Sequence, residues 1–141
     1  MFDAIKSLSD TRERLAGLSV ESVLRDILKP LDDRLVYAFV YGSTARNAQS
    51  AESDVDLMLL GEVTQVEIGS LIKKAETILG RELRPTTYSL NDFAAKFSQG
   101  NRFVVDVMEK PKKFVGVNGK TFTEDGLRNE LRSMAKEQLA T

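Results

Sequence analysis

The sequence predicts an α/β or α+β domain with a small mixed β-sheet flanked by helices. Residues 35–41 (LVYAFVY) are apolar on both faces, which is typical of a buried central strand. Residues 54–60 (DVDLMLL) have the pattern of a second buried strand. Stretches with helical periodicity separate the strands, so the expected order is helix–strand–helix–strand–helix–strand–helix.

The composition excludes several classes of function. The chain has 141 residues, which suits one domain, and its 20 basic and 21 acidic side chains give no support to a broad nucleic-acid surface. Cysteine and histidine are both absent, which excludes disulfides, the usual zinc sites and nucleophile systems that depend on histidine. A metal would be a hard cation held by oxygen. Without a signal-peptide pattern or a long apolar run, we expect a cytoplasmic protein with no membrane span.

Three segments are expected along the chain. Residues 1–19 form an N-terminal helical arm, residues 20–117 the main domain, and residues 118–141 a C-terminal turn and amphipathic helix. Ser19 is placed to cap the first helix of the domain. The terminal helix either docks on the domain or mediates dimerisation, and the sequence leaves both alternatives open.

The middle of the chain carries clear boundary signals. Thr64 and Glu67 form a capping box, and Gly80 ends the helix that follows. Residues 82–88 are a third strand in which Pro85 indicates an edge or a bulge. Further helices begin at Ser89 and near residue 101, and a short strand is expected at 113–117.

Asp54 and Asp56 are the first candidate site residues. Alternate residues of a strand point to one side, so the two carboxylates share a face with their Cα atoms about 6.6–6.8 Å apart. Left unpaired, they would repel each other and one pKa would rise. Two Mg²⁺ ions about 3.5–4 Å apart fit such a pair when a substrate phosphate completes the coordination.

Gly42 and Ser43 end the first predicted strand. Glycine lets the backbone approach a ligand closely, and the N–H groups of a helical turn opened by Ser43 suit phosphate oxygens. A phosphate site beside a metal site makes up the two halves of a nucleoside-triphosphate site. Arg46 lies on the same turn, where it either contacts phosphate or a site carboxylate, or pairs with Glu52 on the surface.

These motifs together resemble a known signature. Residues 41–47 (YGSTARN) and 53–57 (SDVDL), with ten residues between Gly42-Ser43 and Asp54, resemble the DNA-polymerase-β-like nucleotidyltransferase superfamily, minimal nucleotidyltransferase type. Residues 79–83 (LGREL) and 100–103 (GNRF) resemble a subgroup often fused to winged-helix regulators. The resemblance covers roughly residues 20–117 and implies the nucleotidyltransferase fold.

The resemblance implies a role for each matching residue. Gly42 and Ser43 would hold the phosphates of ATP or another NTP, with Arg46 beside them, and Asp54 and Asp56 would bind two Mg²⁺ ions. The reaction would transfer an NMP, AMP in the first instance, to an acceptor hydroxyl on a protein, an RNA or a small molecule. Some relatives pair with a small helical toxin. Only about 33 residues precede the first strand, too few for a winged-helix module, so we do not expect direct DNA binding.

The sequence departs from the family pattern on the third strand. The superfamily usually has a third carboxylate there, but the position falls near Arg84, which neither accepts a proton nor binds Mg²⁺. Glu82 is either a substitute or a solvated carboxylate. A catalytically weak NTP-binding or protein-interaction module, acting as an antitoxin or regulator, is therefore the alternative function. The basic run at 110–113 (KPKK) is either a solvated loop or a contact for RNA or a phosphorylated acceptor.

Overall fold

A computed structural model describes residues 19–42, 54–117, 119–120 and 122–140. Residues 1–18 of the predicted arm at 1–19, the helical turn at 43–49 and the side chains of Ser43 and Arg46 lie outside these residues. The described helices are α1 (Val20–Ile27), α2 (Gln65–Leu79), α3 (Leu90–Ser98), α4 (Arg102–Glu109) and α5 (Glu124–Ala140), with a short 3-10 helix at Lys29–Leu31. The strands are β1 (Leu35–Tyr41), β2 (Val55–Gly61), β3 (Leu83–Tyr88) and β4 (Lys112–Val115).

The four strands form one mixed sheet in the order β3-β2-β1-β4. Strand β1 is antiparallel to both β2 and β4, whereas β2 and β3 are parallel. The mixed α/β architecture predicted from the sequence is confirmed. Pro85 lies on the edge strand β3, where a missing backbone N–H does not interrupt the sheet.

Alternation along β1 and β2 divides the core into two layers. One face of the sheet packs against α1 and α2 through Val40, Val55, Leu57 and Leu59, and the other packs against α3, α4 and α5 through Phe39, Tyr41, Met58 and Leu60. Burying each large apolar side chain contributes about 1.5–3 kcal/mol. Because Asp56 alternates with Val55 and Leu57, it belongs to the α3–α5 face of the sheet.

Helix starts follow the predicted caps. The Ser19 hydroxyl accepts a hydrogen bond from the Ser22 N–H at 3.1 Å. Thr64 and Glu67 form the complete capping box, and the Ser89 hydroxyl accepts from the Asp92 N–H at 3.0 Å. Each cap satisfies a backbone donor that the first turn of a helix leaves free.

The terminal helix α5 docks on the sheet. Leu127 and Leu131 are fully buried in the same layer as Phe39 and Phe93. Docking is therefore the alternative that the structure supports for α5. Within the described part of the chain, no helix combines the length and apolar character that crossing a membrane requires.

A buried hydroxyl also joins α5 to the sheet. The Tyr37 hydroxyl donates a hydrogen bond to the Glu130 carboxylate, and the Tyr37 ring lies 4.7 Å from the Phe122 ring. Burial raises the pKa of Tyr37 above its usual value, and the hydrogen bond and the charge of Glu130 raise it further. Ionisation of this phenol would place a second negative charge beside Glu130.

We expect the Tyr37→Phe variant to be less sensitive to alkali than the wild type. Because the folded-state pKa is above the unfolded value of about 10, the contribution of Tyr37 is complete below pH 10 and is lost as the pH rises further. The free energy of unfolding should fall by up to about 1.4 kcal/mol more per pH unit in the wild type. Urea titrations between pH 9 and 12 measure how the free energy of unfolding changes with pH, and equal slopes in the two proteins would contradict this prediction.

Candidate active site

The end of β1 forms one side of the candidate site. Tyr41 pairs with Asp56 of β2, and Gly42 follows with a φ of 81°, a conformation that favours glycine. The Gly42 N–H donates to the Pro111 carbonyl at 3.1 Å. A Cβ atom at position 42 would lie 3.6 Å from Asp56 Oδ2, so the glycine backbone stands directly beside that carboxylate.

Asp54, Asp56 and Arg84 converge at the same end of the sheet. In the parallel pairing of β2 and β3, Arg84 lies opposite Asp56. The Arg84 Nε atom is 3.1 Å from Asp56 Oδ1 and 3.7 Å from Asp54 Oδ2. The third strand therefore presents a permanent positive charge to the two aspartates, where a third carboxylate was the family expectation.

Glu82 precedes β3 and is exposed. Its backbone carbonyl accepts a hydrogen bond from the Val55 N–H at 2.9 Å. This bond fixes the start of β2 against β3. A role for the Glu82 carboxylate as the third acidic group stays a prediction.

The Tyr41 side chain lies in the core beside the candidate site. It is buried and hydrogen-bonds with Thr86, and burial together with the charge of Asp56 raises its pKa. The hydroxyl therefore stays protonated at neutral pH and is not a general base there. Lys110 Nζ lies 5.9 Å from the centre of the Tyr41 ring and pairs with Asp106 at 3.1 Å.

The basic run at 110–113 is not a uniformly solvated loop, because the Lys112 side chain is 0% exposed. Its ammonium group donates to the Met108 carbonyl at 2.6 Å, to the Lys110 carbonyl at 2.9 Å and to the Glu124 carboxylate at 2.7 Å. Burial lowers the pKa of Lys112, an effect that Glu124 opposes. Lys112 thus ties α4, β4 and α5 together next to Pro111, whose carbonyl holds Gly42.

Sequence reasoning missed the contributions of Lys110 and Pro111. Pro111 comes close to Gly42, and Lys110 to the Tyr41 ring, because β4 pairs with β1, with Lys112 opposite Tyr41. A pairing between segments about seventy positions apart leaves no signal in local periodicity. The basic composition of the run was the only indication, and it favoured a solvent-exposed loop.

The donor chemistry fits a hard divalent cation bound together with a nucleotide. Magnesium is commonly held by one or two carboxylates plus substrate phosphates, and Asp54 and Asp56 supply two carboxylates. Among the described residues, no cluster of three or more acidic, histidine or cysteine side chains is placed to hold a metal. Substrate oxygens would therefore complete the coordination.

The pattern of the nucleotidyltransferase domain family matches residues 21–113, which is more than half of the chain. The chain belongs to the nucleotidyltransferase family. The matched region of this nucleotidyltransferase contains β1, β2, β3 and the first half of β4. It also contains Gly42, Asp54 and Asp56. Among curated proteins, none is similar enough in sequence to count as a match.

Solved structures with a similar fold come from toxin–antitoxin complexes. One, a toxin–antitoxin complex with AMP-PNP, is 15% identical with a TM-score of 0.52 over 85% of this chain and 90% of the other. A second is a variant of the MntA–HpeT complex, 13% identical with a TM-score of 0.51 over 85% and 89% of the two chains. A third is a tri-AMPylated Shewanella oneidensis HEPN toxin with its MNT antitoxin, 14% identical with a TM-score of 0.50 over 86% and 87%. At these identities the likeness establishes a shared fold.

Proposed function

We propose that this nucleotidyltransferase catalyses the Mg²⁺-dependent transfer of AMP from ATP to an acceptor hydroxyl. The observation that carries the proposal is the convergence of Asp54, Asp56 and the Gly42 backbone at one end of the sheet. Two similar folds support the donor, since one is a complex with AMP-PNP and another contains an AMPylated toxin. The similar MntA–HpeT variant has two aspartates, two positions apart, replaced by glutamate.

In this proposal the two aspartates contribute charge, and Gly42 contributes its backbone. Asp54 and Asp56 would hold Mg²⁺, which when bound neutralises charge on the triphosphate and polarises its oxygens. Gly42 offers the triphosphate a backbone without a Cβ atom. Ser43 and Arg46 keep their predicted phosphate contacts as part of this proposal.

The proposed reaction replaces a phosphoanhydride bond of ATP with a phosphoester bond to the acceptor. The acceptor oxygen forms a bond to the α-phosphorus, the bond from that phosphorus to the bridging oxygen breaks, and pyrophosphate leaves. The hydroxyl proton passes to solvent or to a site carboxylate, because Arg84 has no acceptor atom. General base catalysis is commonly worth about 10²–10⁴-fold, so we expect slow turnover without a third carboxylate.

We propose a partner protein as the first acceptor to test, with an RNA end or a small hydroxylated molecule as alternatives. The support is the AMPylated HEPN toxin found with the MNT antitoxin in a similar fold. In this role the chain would act in the cytoplasm as the antitoxin of a helical toxin. A homodimer remains an alternative assembly for the free protein.

The test combines labelled nucleotide with a pyrophosphate assay. The wild type should transfer label from α-³²P-ATP to an acceptor and release pyrophosphate. Asp56→Asn should lose at least about 100-fold, since loss of an outer partner of a metal ligand already costs about 10–100-fold. Asp33→Asn, in the exposed turn before β1 at the far end of the sheet, is the matched control. Equal activity of wild type and Asp56→Asn with all four NTPs would rule out the enzymatic function at this site.

Arg84 favours a second candidate, a nucleotide-binding module with little turnover. Its guanidinium pairs with both aspartates and leaves the site without an evident base. Calorimetry with AMP-PNP and Mg²⁺ separates the two functions. Binding with no pyrophosphate release supports the module, binding with release supports the enzyme, and no binding favours a role in protein interaction alone.

A further inference from the structure

Arg84 pairs with both of the aspartates that are proposed to bind metal. Its Nε atom lies 3.1 Å from Asp56 and 3.7 Å from Asp54, so a single guanidinium reaches both carboxylates. The pairing is built into the fold because Asp56 and Arg84 are register partners on neighbouring strands. An arginine side chain is positively charged throughout the physiological pH range.

The charges at this end of the sheet balance differently from a site with two metals. Two carboxylates carry two negative charges, and Arg84 already neutralises one of them. The protein itself therefore offers two divalent cations a net charge of only −1, and no third carboxylate among the described residues is placed to bind them.

The Arg84 side chain also has the freedom and the chemistry to serve a nucleotide. It is 60% exposed, so part of the guanidinium is open to a phosphate of a bound nucleotide. The planar guanidinium matches both carboxylate and phosphate oxygens through paired N–H donors. The shorter distance to Asp56 marks that carboxylate as its main partner.

We propose that Arg84 takes the place of one of the two divalent cations, so that the nucleotide-bound site holds a single metal ion. The inference rests on the proposed function, namely that this site binds an NTP with Mg²⁺. Asp54 and Asp56 then share one cation, and the guanidinium supplies the second positive charge. Arg84 is a nucleotide- and carboxylate-binding residue in this arrangement and takes no proton.

Electron paramagnetic resonance with Mn²⁺ and α,β-methylene-ATP tests the number of metal ions directly. Two Mn²⁺ ions about 3.5–4 Å apart would be magnetically coupled, whereas a single ion gives an isolated six-line spectrum. The wild type should bind one Mn²⁺ per protein–nucleotide complex and give the uncoupled spectrum. Arg84→Lys, which keeps the charge, should behave in the same way.

Arg84→Asp should bind a second Mn²⁺ and give the coupled spectrum. Arg102→Asp, the same change at an exposed position of α4, is the matched control and should keep one ion. A coupled spectrum in the wild type overturns the inference and leaves the proposed function intact, and this measurement does not depend on whether the Asp variant folds. Absence of nucleotide binding by the wild type overturns the proposed function itself, and the inference with it.

Discussion

Replacing Gly61 with alanine is expected to lower the free energy of unfolding by about 2–6 kcal/mol, combining backbone strain of about 1–3 kcal/mol with overpacking of similar size. Gly61 is the last residue of β2 and has a φ of 155°, a backbone conformation that residues with a side chain rarely adopt. An added Cβ atom would overlap the Arg34 carbonyl oxygen and lie 2.9 Å from Leu35 Cα. Both groups are backbone, so neither can rotate away.

The overlap would disturb the strand pairing that sets the register of β1 and β2. Gly61 pairs with Leu35, and the Glu62 N–H donates to the Arg34 carbonyl at 3.0 Å. Urea denaturation measures the effect. Gly69→Ala is the matched control, because Gly69 lies within α2 and, apart from its chain neighbours and the backbone of its own helix, no atom lies within 4 Å of the added Cβ. That change should stabilise the protein by about 0.5–1 kcal/mol, and a similar loss in both variants would contradict the explanation.

Replacing Lys112 with methionine is expected to cost about 2–3 kcal/mol, at the upper end of the range of about 1–3 kcal/mol for an unsatisfied buried polar group. The change removes three hydrogen bonds from a fully buried ammonium group. The loss should be smaller than the 3–5 kcal/mol typical of a fully broken buried pair. The reason is that Arg128 still contacts both Glu124 and the Met108 carbonyl.

The same variant should weaken nucleotide binding. Lys112 holds the Lys110 carbonyl, and the adjacent Pro111 carbonyl accepts the Gly42 N–H. Denaturation and calorimetry with AMP-PNP measure the two effects separately. Lys74→Met, at an exposed position of α2, should change stability by no more than about 0.5 kcal/mol. The double variant Lys112→Met/Glu124→Gln should recover part of the stability, and a Lys112→Met protein as stable as the Lys74 control would refute this role.

The structural role of Lys112 bears on function through α5. The helix lies outside the family match, which ends at residue 113, yet Glu124 of its first turn binds the lysine next to the site. Leu127 and Leu131 anchor the same helix in the core. A partner that binds α5 would therefore act on an element connected to Gly42 through Lys112 and Pro111.

The sequence alone determined the bounds of β1, the caps and the pair of aspartates, whereas β4 was predicted at 113–117 and lies at Lys112–Val115. Strand β1 was predicted at its observed bounds because burial on both faces demands an uninterrupted apolar run. Thr64 and Glu67 were predicted because a capping box is complete within four residues. The family resemblance, with the spacing counted from Gly80, also predicted that Arg84 lies near the position of the usual third carboxylate, and the structure places Arg84 opposite Asp56.

Only the tertiary structure decided what surrounds Gly42. The β1–β4 pairing brings Pro111 to the Gly42 N–H and Lys110 over the Tyr41 ring. The same pairing, with α5 packed beside it, turns Lys112 from an expected surface charge into a buried anchor. The physical reason is that a polar side chain is stable in the core only when hydrogen bonds to the protein replace those it loses to water. Those partners come from distant segments, whereas a strand or a cap is specified by its own residues.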